Sequence, residues 1–561
     1  MNKIVDFFLH RPVCAAIVLA VLATISTLPQ GIPGLHNDDL QIYFLLLNGG
    51  ADGGAVGYGL YTNFVLGWCI AKLSVVFPSL NVYLAYLFIL AFAACCCANF
   101  FVLNRYAEYE AGERRYNKCY LLVVSLLLVV VNSCIMRMLQ YTHVAIWCAV
   151  CGVLLIGSIE KQGAWRMRVV WATLLLAGAY SLRSSALLPA CFVACVVFWK
   201  QWRQMRILLA ALWVAGVISL LCIINVLAYS AAPEWQKARD FLSVRVQILD
   251  TPDNSGLDKT EKLEEKNIHP HSFLVFKRFT YAPSMYSKSK VNDALLIHRE
   301  GRKGLLGSQF LADKGFLSIP WNERSLGEYD TIFRALEPWT PIVAAVFLWL
   351  LGAGRRTVGA AFGMGFALFC YLGVLLLFQR MVGRVVNPML YGAAIWILAL
   401  PPQKHSFLPT NFRCVVSVCI AVFASLFIKR HWPSFTNRVA ESCYCEAHPD
   451  KLYLTMQVGK DLYPRGFGGY SYRWMSQTNV LPIADGWCFY SPAYEAALRK
   501  RGFQSYEAAF MHPNTRIIAN KKNVSMLGHL EKLAECEWGK KVELSIEDSF
   551  GELYIVKINQ K

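Results

Sequence analysis

Apolar runs long enough to cross a lipid bilayer, roughly 17–25 residues each, recur from Pro12 to about Leu400 and again over 412–428. No soluble core needs that pattern, so the runs decide the class before any motif is weighed. Charged residues make up only 16% of the 561 positions, where soluble domains average about a quarter. The net charge of +18 invites a nucleic-acid reading, but its placement argues against one. Lys3 and Arg11 precede the first run; Arg105, Arg114, Arg115 and Lys118 fall between later ones. Lys161, Arg166 and Arg168, then Lys200, Arg203 and Arg206, then Arg355, Arg356, Lys404 and Arg413 do the same. On one membrane face these segments form a positive-inside pattern. The expected partner is the bilayer, with no nucleic acid.

The first run, "RPVCAAIVLAVLATISTLP", is long for a signal-peptide core and no A-x-A-like site follows it. It reads as an uncleaved anchor with the N-terminus in the cytoplasm. Further spans are expected near 81–103, 119–136, 143–159, 169–182, 185–199, 207–230, 337–353, 358–378, 384–400 and 412–428, about eleven in all by length. The stretch 61–77, "YTNFVLGWCIAKLSVVF", reads instead as an amphipathic segment at the outer interface, which returns the basic 104–118 to the inside. "SLRSSALLP" interrupts 169–199, and the basic "KQWRQMR" after it favours two spans there.

The expected fold is therefore an α-helical polytopic membrane protein with two extracytoplasmic additions. Residues 1–230 form an N-terminal membrane module with an acidic first external loop at 31–79. Residues 231–336 are a hydrophilic insert, 337–428 carry the last spans, and 429–561 form a small α+β C-terminal domain, where "GELYIVKI" alternates as a strand does. The expected location is the cytoplasmic membrane. Cysteines such as those in "ACCCA" (94–98) behave as small apolar residues. Cys443, Cys445, Cys488 and Cys536 fall in the exported tail and are candidates for one or two disulfides. Their spacing lacks a second close pair, so a zinc site is not expected.

"HNDDL" (36–40) places two carboxylates, Asp38 and Asp39, just past the first span. A helix cap would use one; a second at the edge of a low-dielectric slab is costly and points to use. A partly desolvated carboxylate suits general-base chemistry on an acceptor hydroxyl or amine. Asp52, in the following "NGGADGGAVGYG", is a secondary candidate. Those glycines neither follow a strand nor open a dinucleotide unit; they are expected to let the backbone pass close to a substrate or the membrane surface. Arg137, Arg183, Arg380 and Arg384 lie at the outward ends of spans, against the charge rule, with His143 and Lys72 at similar depth. Guanidinium forks bind phosphate, so a lipid-linked phosphate is the expected ligand. Each arginine alone could equally snorkel to headgroups.

With "NDDL" after the first span, then "YTNFVLGW" leading to "FPSLNVYLAY", many further spans and an external C-terminal domain, the chain resembles the GT-C superfamily of membrane glycosyltransferases. The protein O-mannosyltransferase and aminoarabinose transferase group is closest in layout. The resemblance implies a first-loop carboxylate as the catalytic residue, Asp38 or Asp39, and a polyprenyl-phosphate sugar as donor to an envelope glycan, lipid or protein. The Lys-Pro-Pro pattern common in that group is missing, and the 231–336 insert is longer than expected. Metal-dependent relatives carry a second acidic site, for which Glu328, Asp330 and Glu337 are the candidates here. No cofactor is certain and a divalent metal is possible. The rival readings are an O-antigen ligase or polymerase, for which His269, His271 and His298 would matter, a lipid-linked glycan flippase, and a non-catalytic assembly factor. The tail's aromatic run 466–479 suits either sugar stacking or a small-domain core.

Overall fold

The computed structural model describes residues 2–27, 37–51, 54–111, 118–159, 165–198, 204–249, 260–277, 288–300, 383–400, 444–456, 469–482, 488–521, 523–550 and 553–561, with a few isolated positions between them. The helices in chain order are α1 (Asn2–His10), α2 (Pro12–Thr27), α3 (Asn37–Leu46), α4 (Phe64–Val76), α5 (Val82–Ala111), α6 (Lys118–Arg137), α7 (Tyr141–Ile156), α8 (Trp165–Leu182), α9 (Leu187–Phe198) and α10 (Met205–Ser230). There follow α11 (Pro233–Leu249), α12 (Thr260–Glu265), α13 (Pro270–Lys277), α14 (Lys288–Glu300) and α15 (Gly383–Leu398). The chain divides into two compact units: residues 1–33, 85–223 and 321–435, and residues 34–84, 224–320 and 436–561.

The first unit is a bundle of apolar helices. Val82–Glu108 and Met205–Ser230 are each long and apolar enough to cross a membrane, and α1 with α2, bent by 118°, makes a third if taken as one span. The bend falls where Arg11 and Pro12 interrupt the helix, as a proline lacking its N–H must. Shorter apolar helices supply the rest, α7 among them, every residue of which is buried. The chain leaves the helix at Arg183, which is extended (φ −158°, ψ 109°), so 165–198 is two helices. Leu208, Leu212, Trp213 and Leu220 on α10 are exposed, a surface suited to lipid. Inside the bundle, Asn132 donates to Asn99 at 2.7 Å and Asn99 to the Ala16 carbonyl at 3.0 Å, tying α6, α5 and α2 together. Polar bridges of this kind join helices where apolar contact alone gives no preference over lipid. The spans expected at 337–353, 358–378 and 412–428 lie outside the described residues, apart from four positions of the second.

The second unit is α+β. In it α4 has thirteen residues, about 20 Å of helix, short of the roughly 30 Å hydrocarbon core. This is the 61–77 stretch expected to lie at an interface; Trp68, Leu73, Val76 and Phe77 are exposed along it. The tail builds a five-stranded sheet from β1 (Leu452–Met456), β2 (Val480–Pro482), β3 (Thr515–Asn520), β4 (Val542–Phe550) and β5 (Leu553–Gln560), in the order β2-β1-β3-β5-β4. β1 runs parallel to β2 and β3, and β5 is antiparallel to β3 and β4. Around it lie α16 (Tyr472–Gln477), α17 (Pro492–Lys500), α18 (Tyr506–Phe510) and α19 (Leu527–Trp538). Ser491 caps α17 and Pro492 occupies its first turn, where a missing N–H costs nothing.

The tail contains no disulfide among its described cysteines: Cys445, Cys488 and Cys536 are all unbridged, and Cys443 lies outside the described residues. Cys445 and Cys488 are buried in apolar packing on different elements, while Cys536 is exposed on α19 with its sulfur 3.0 Å from His269 Nε2.

Candidate functional site

Helix α3 opens with Asp38 and Asp39 in its first turn, where unsatisfied N–H groups and the helix dipole favour negative charge. From Asp39 to Leu47 every residue is buried. Adjacent helix residues point about 100° apart, and the two aspartates differ accordingly: Asp39 is 0% exposed, whereas Asp38 is half-buried. A buried carboxylate needs donors, and the Tyr83 hydroxyl donates to Asp39 Oδ1 at 3.2 Å. Tyr83 sits in the first turn of α5, whose start is held by Asn81 Oδ1 accepting from the Leu84 N–H.

Tyr43, one turn along α3 from Asp39, stacks on Tyr83 with ring centroids 5.8 Å apart. Its hydroxyl is 3.0 Å from Ser74 Oγ on α4. Burial pushes the Tyr43 hydroxyl up to about 12, against the opposing effect of Ser74, so it stays a neutral phenol. Its other neighbour is Tyr470 of the tail, at 6.2 Å. Tyr470 in turn donates to the Leu40 carbonyl of α3 at 3.3 Å. Neither Tyr83 nor Tyr470 was singled out by sequence reasoning. The only available signal was a hydroxyl-bearing aromatic at the mouth of an apolar run.

The first two glycines after α3 lie against the tail. Asn48, Gly49 and Gly50 are all left-handed (φ +53°, +60° and +73°) and end the helix. A Cβ on Gly49 would lie 2.5 Å from the Ala497 Cβ, and one on Gly50 would lie 2.6 Å from the Met475 carbonyl oxygen. At Gly49 and Gly50, α17 and α16 of the tail press onto this backbone. Lys500 closes the contact, its Nζ donating to the Gly50 carbonyl at 2.6 Å and to the Ser476 carbonyl at 2.8 Å. In the aromatic run, Tyr470 and Met475 are buried, which favours the core reading over a free sugar platform. Asp52 lies outside the described residues.

The cations belong to the first unit. Arg183 Nη1 donates to Tyr141 Oη at 2.9 Å and Thr142 Oγ1 at 2.7 Å, and its Nε donates to Ser185 Oγ at 3.0 Å. Its guanidinium also lies over the Tyr141 ring at 5.4 Å. Among the described residues it meets hydroxyls and a ring, and no carboxylate. His143, 1% exposed, lies edge-on to Tyr391 of α15 at 6.2 Å. Arg137 ends α6, and Arg384 lies in the first turn of α15. Tyr141 and His143 open α7, so Arg183 is drawn to the end of the bundle where α6 gives way to α7. Arg380, Glu328, Asp330 and Glu337 lie outside the described residues. Among those described, no group of three or more His, Cys, Asp or Glu side chains is placed to hold a metal ion.

No family model matches the chain, and no curated protein does. Among solved structures it is similar to ArnT from Cupriavidus metallidurans in the apo state, at 11% identity and a TM-score of 0.37, covering 97% of each chain. It is likewise similar to ArnT from the same organism bound to undecaprenyl phosphate, at 11% identity and a TM-score of 0.35, over 96% of this chain and 97% of that one.

Proposed function

We propose that the chain is a membrane glycosyltransferase of the GT-C type. It takes a sugar from a polyprenyl-phosphate donor at the outer face of the cytoplasmic membrane and moves it to an envelope glycan, lipid or protein. The observation that carries this reading is the paired carboxylate at the start of α3: Asp39 buried on the Tyr83 hydroxyl, Asp38 beside it and partly open. A base must reach its proton within hydrogen-bond distance, so Asp38 is assigned as the base and Asp39 as the group that anchors the turn. The acceptor O–H or N–H gives its proton to Asp38 as its heteroatom bonds to the anomeric carbon. The sugar–phosphate C–O bond breaks, and its electron pair leaves on the lipid phosphate. Arg183, with Arg137, Arg380 and Arg384, meets that growing charge, a task guanidinium groups do well. A single in-line attack inverts the anomeric centre.

In this reading the N-terminus is cytoplasmic, and the insert (231–336) and tail (429–561) are extracytoplasmic and select the acceptor. The test is mass spectrometry of membrane lipids from wild type, a deletion, and Asp38→Asn confirmed to insert normally. Deletion and variant should accumulate the same polyprenyl-phosphate sugar. A lipid pool altered by the deletion but not by Asp38→Asn would move a ligase or flippase ahead; no change in either would remove the reading.

A further inference from the structure

The tail reaches the acidic helix from several directions. Besides Tyr470 on the Leu40 carbonyl and Lys500 on the Gly50 carbonyl, two backbone bonds hold the turn before α5. The Asn81 N–H donates to the Phe467 carbonyl at 2.6 Å, and the Arg473 N–H to the Pro78 carbonyl at 2.8 Å. That turn launches the helix whose Tyr83 holds Asp39. Phe44 of α3 lies 6.4 Å from Tyr494 of α17, and Arg501 donates to the Thr478 and Ala497 carbonyls, joining α17 to the end of α16. So the start of α3, its C-terminal turn and the support for Tyr83 are each gripped by the same short region of the tail, residues 467–501. All of these bonds lie within the second unit, and together they hold both ends of one ten-residue helix.

Resting on the transferase reading above, we infer that Tyr470 and Lys500 are positioning residues for the reaction: the C-terminal domain clamps α3 at both ends and thereby sets the aim of Asp38. Tyr470 acts through the Tyr43–Tyr83 stack and the Leu40 carbonyl, at the acidic end. Lys500 acts through the Gly50 carbonyl, at the far end, where the left-handed turn would otherwise be a weak stop. A group displaced by an ångström loses far more in turnover than in binding, so the signature is a fall in kcat without a matching change in KM for the lipid donor.

The experiment uses the full chain in lipid nanodiscs, as wild type, Tyr470→Phe, Lys500→Met and Lys500→Arg. It measures amide exchange over residues 40–50 and transfer from a polyprenyl-phosphate sugar. Lys500→Met should lower protection at residues 45–50 by about tenfold while β3 and β5 stay protected, and should lower kcat by roughly tenfold or more with KM unchanged. Tyr470→Phe, which keeps the ring and loses the bond to Leu40, should do so more mildly. Lys500→Arg, which can still donate to both carbonyls, should recover most of both. Unchanged protection in Lys500→Met overturns the clamp. Lowered protection with wild-type kcat overturns its role in the reaction. Lost protection of β3 and β5 in both the Phe and Met variants overturns it too, because the tail would then be unfolding rather than releasing α3. Lowered protection in a chain whose wild type transfers no sugar leaves the clamp standing and brings down the transferase reading instead.

Discussion

At the residue scale, two neighbouring aspartates with identical chemistry are given different environments by a 100° step around a helix. Asp39 is sealed against Tyr83 and Asp38 stays half-open. Asp38→Asn is isosteric and keeps the helix start polar, so it should insert and fold normally. It should lower transfer by about 10²–10⁴-fold, the usual contribution of a positioned base, measured on purified protein with donor in excess. Asp39→Asn should lower stability as well as activity, because Asp39 is fully buried and accepts from the Tyr83 hydroxyl, so an amide there brings a buried N–H₂ that needs partners; a thermal midpoint separates the two variants. Arg183 is a different case. Its charge is held by Tyr141, Thr142 and Ser185, which fix its direction without neutralising it. Arg183→Met should cut kcat by about 10²-fold if it meets the leaving phosphate, and Arg183→Lys should restore little, since a point charge lacks the guanidinium's planar fork.

At the scale of elements, α3 ends where three successive left-handed residues bring its backbone under the tail. Gly49→Ala adds both a strained φ and a Cβ within 2.5 Å of Ala497. It should destabilise the unit by about 1–3 kcal/mol, read as a lower thermal midpoint; an unchanged midpoint would mean the tail does not press there. The sheet carries its own acid-sensitive joint. Arg516 on β3 binds Glu547 on β4, and Lys451 lies nearby. Arg516 holds the Glu547 carboxyl below its ordinary value. A depressed folded-state value means the stabilisation is present above the unfolded carboxylate range, near 4.5, and fades as pH falls through the lower folded value. Arg516→Met should therefore lower the neutral plateau of a stability–pH curve and flatten its acid limb below about pH 5, the variant and wild-type curves converging as pH falls.

At the scale of the molecule, stability rests on apolar packing in one unit and a closed α+β core in the other, with no disulfide among the described cysteines. Both units are built from separated stretches of chain, so the first loop, the insert and the tail share one unit although more than 400 residues separate Leu40 from Tyr470. Truncation of the tail should consequently disturb the acidic helix itself rather than remove an independent module.

The class and most of the helix plan were legible in the sequence, because a span of lipid demands a run of apolar residues whatever the rest of the chain does. The helices α5 to α10 and α15 fall where the runs predict them, the break at Arg183 was marked by "SLRSS", and the last strand by the alternating run "GELYIVKI". The carboxylate pair was legible for the same reason: charge beside an apolar run is costly enough to be conspicuous. That Gly49 and Gly50 lie under the tail was not legible, because their neighbours, Ala497 and Met475, are over 400 residues away. Nor was the pairing of Asp39 with Tyr83, or the grip of Tyr470 and Lys500 on the same helix. Hydropathy and charge act locally and leave their mark in every window of sequence, whereas close approach and hydrogen-bond partnership exist only once distant segments have packed.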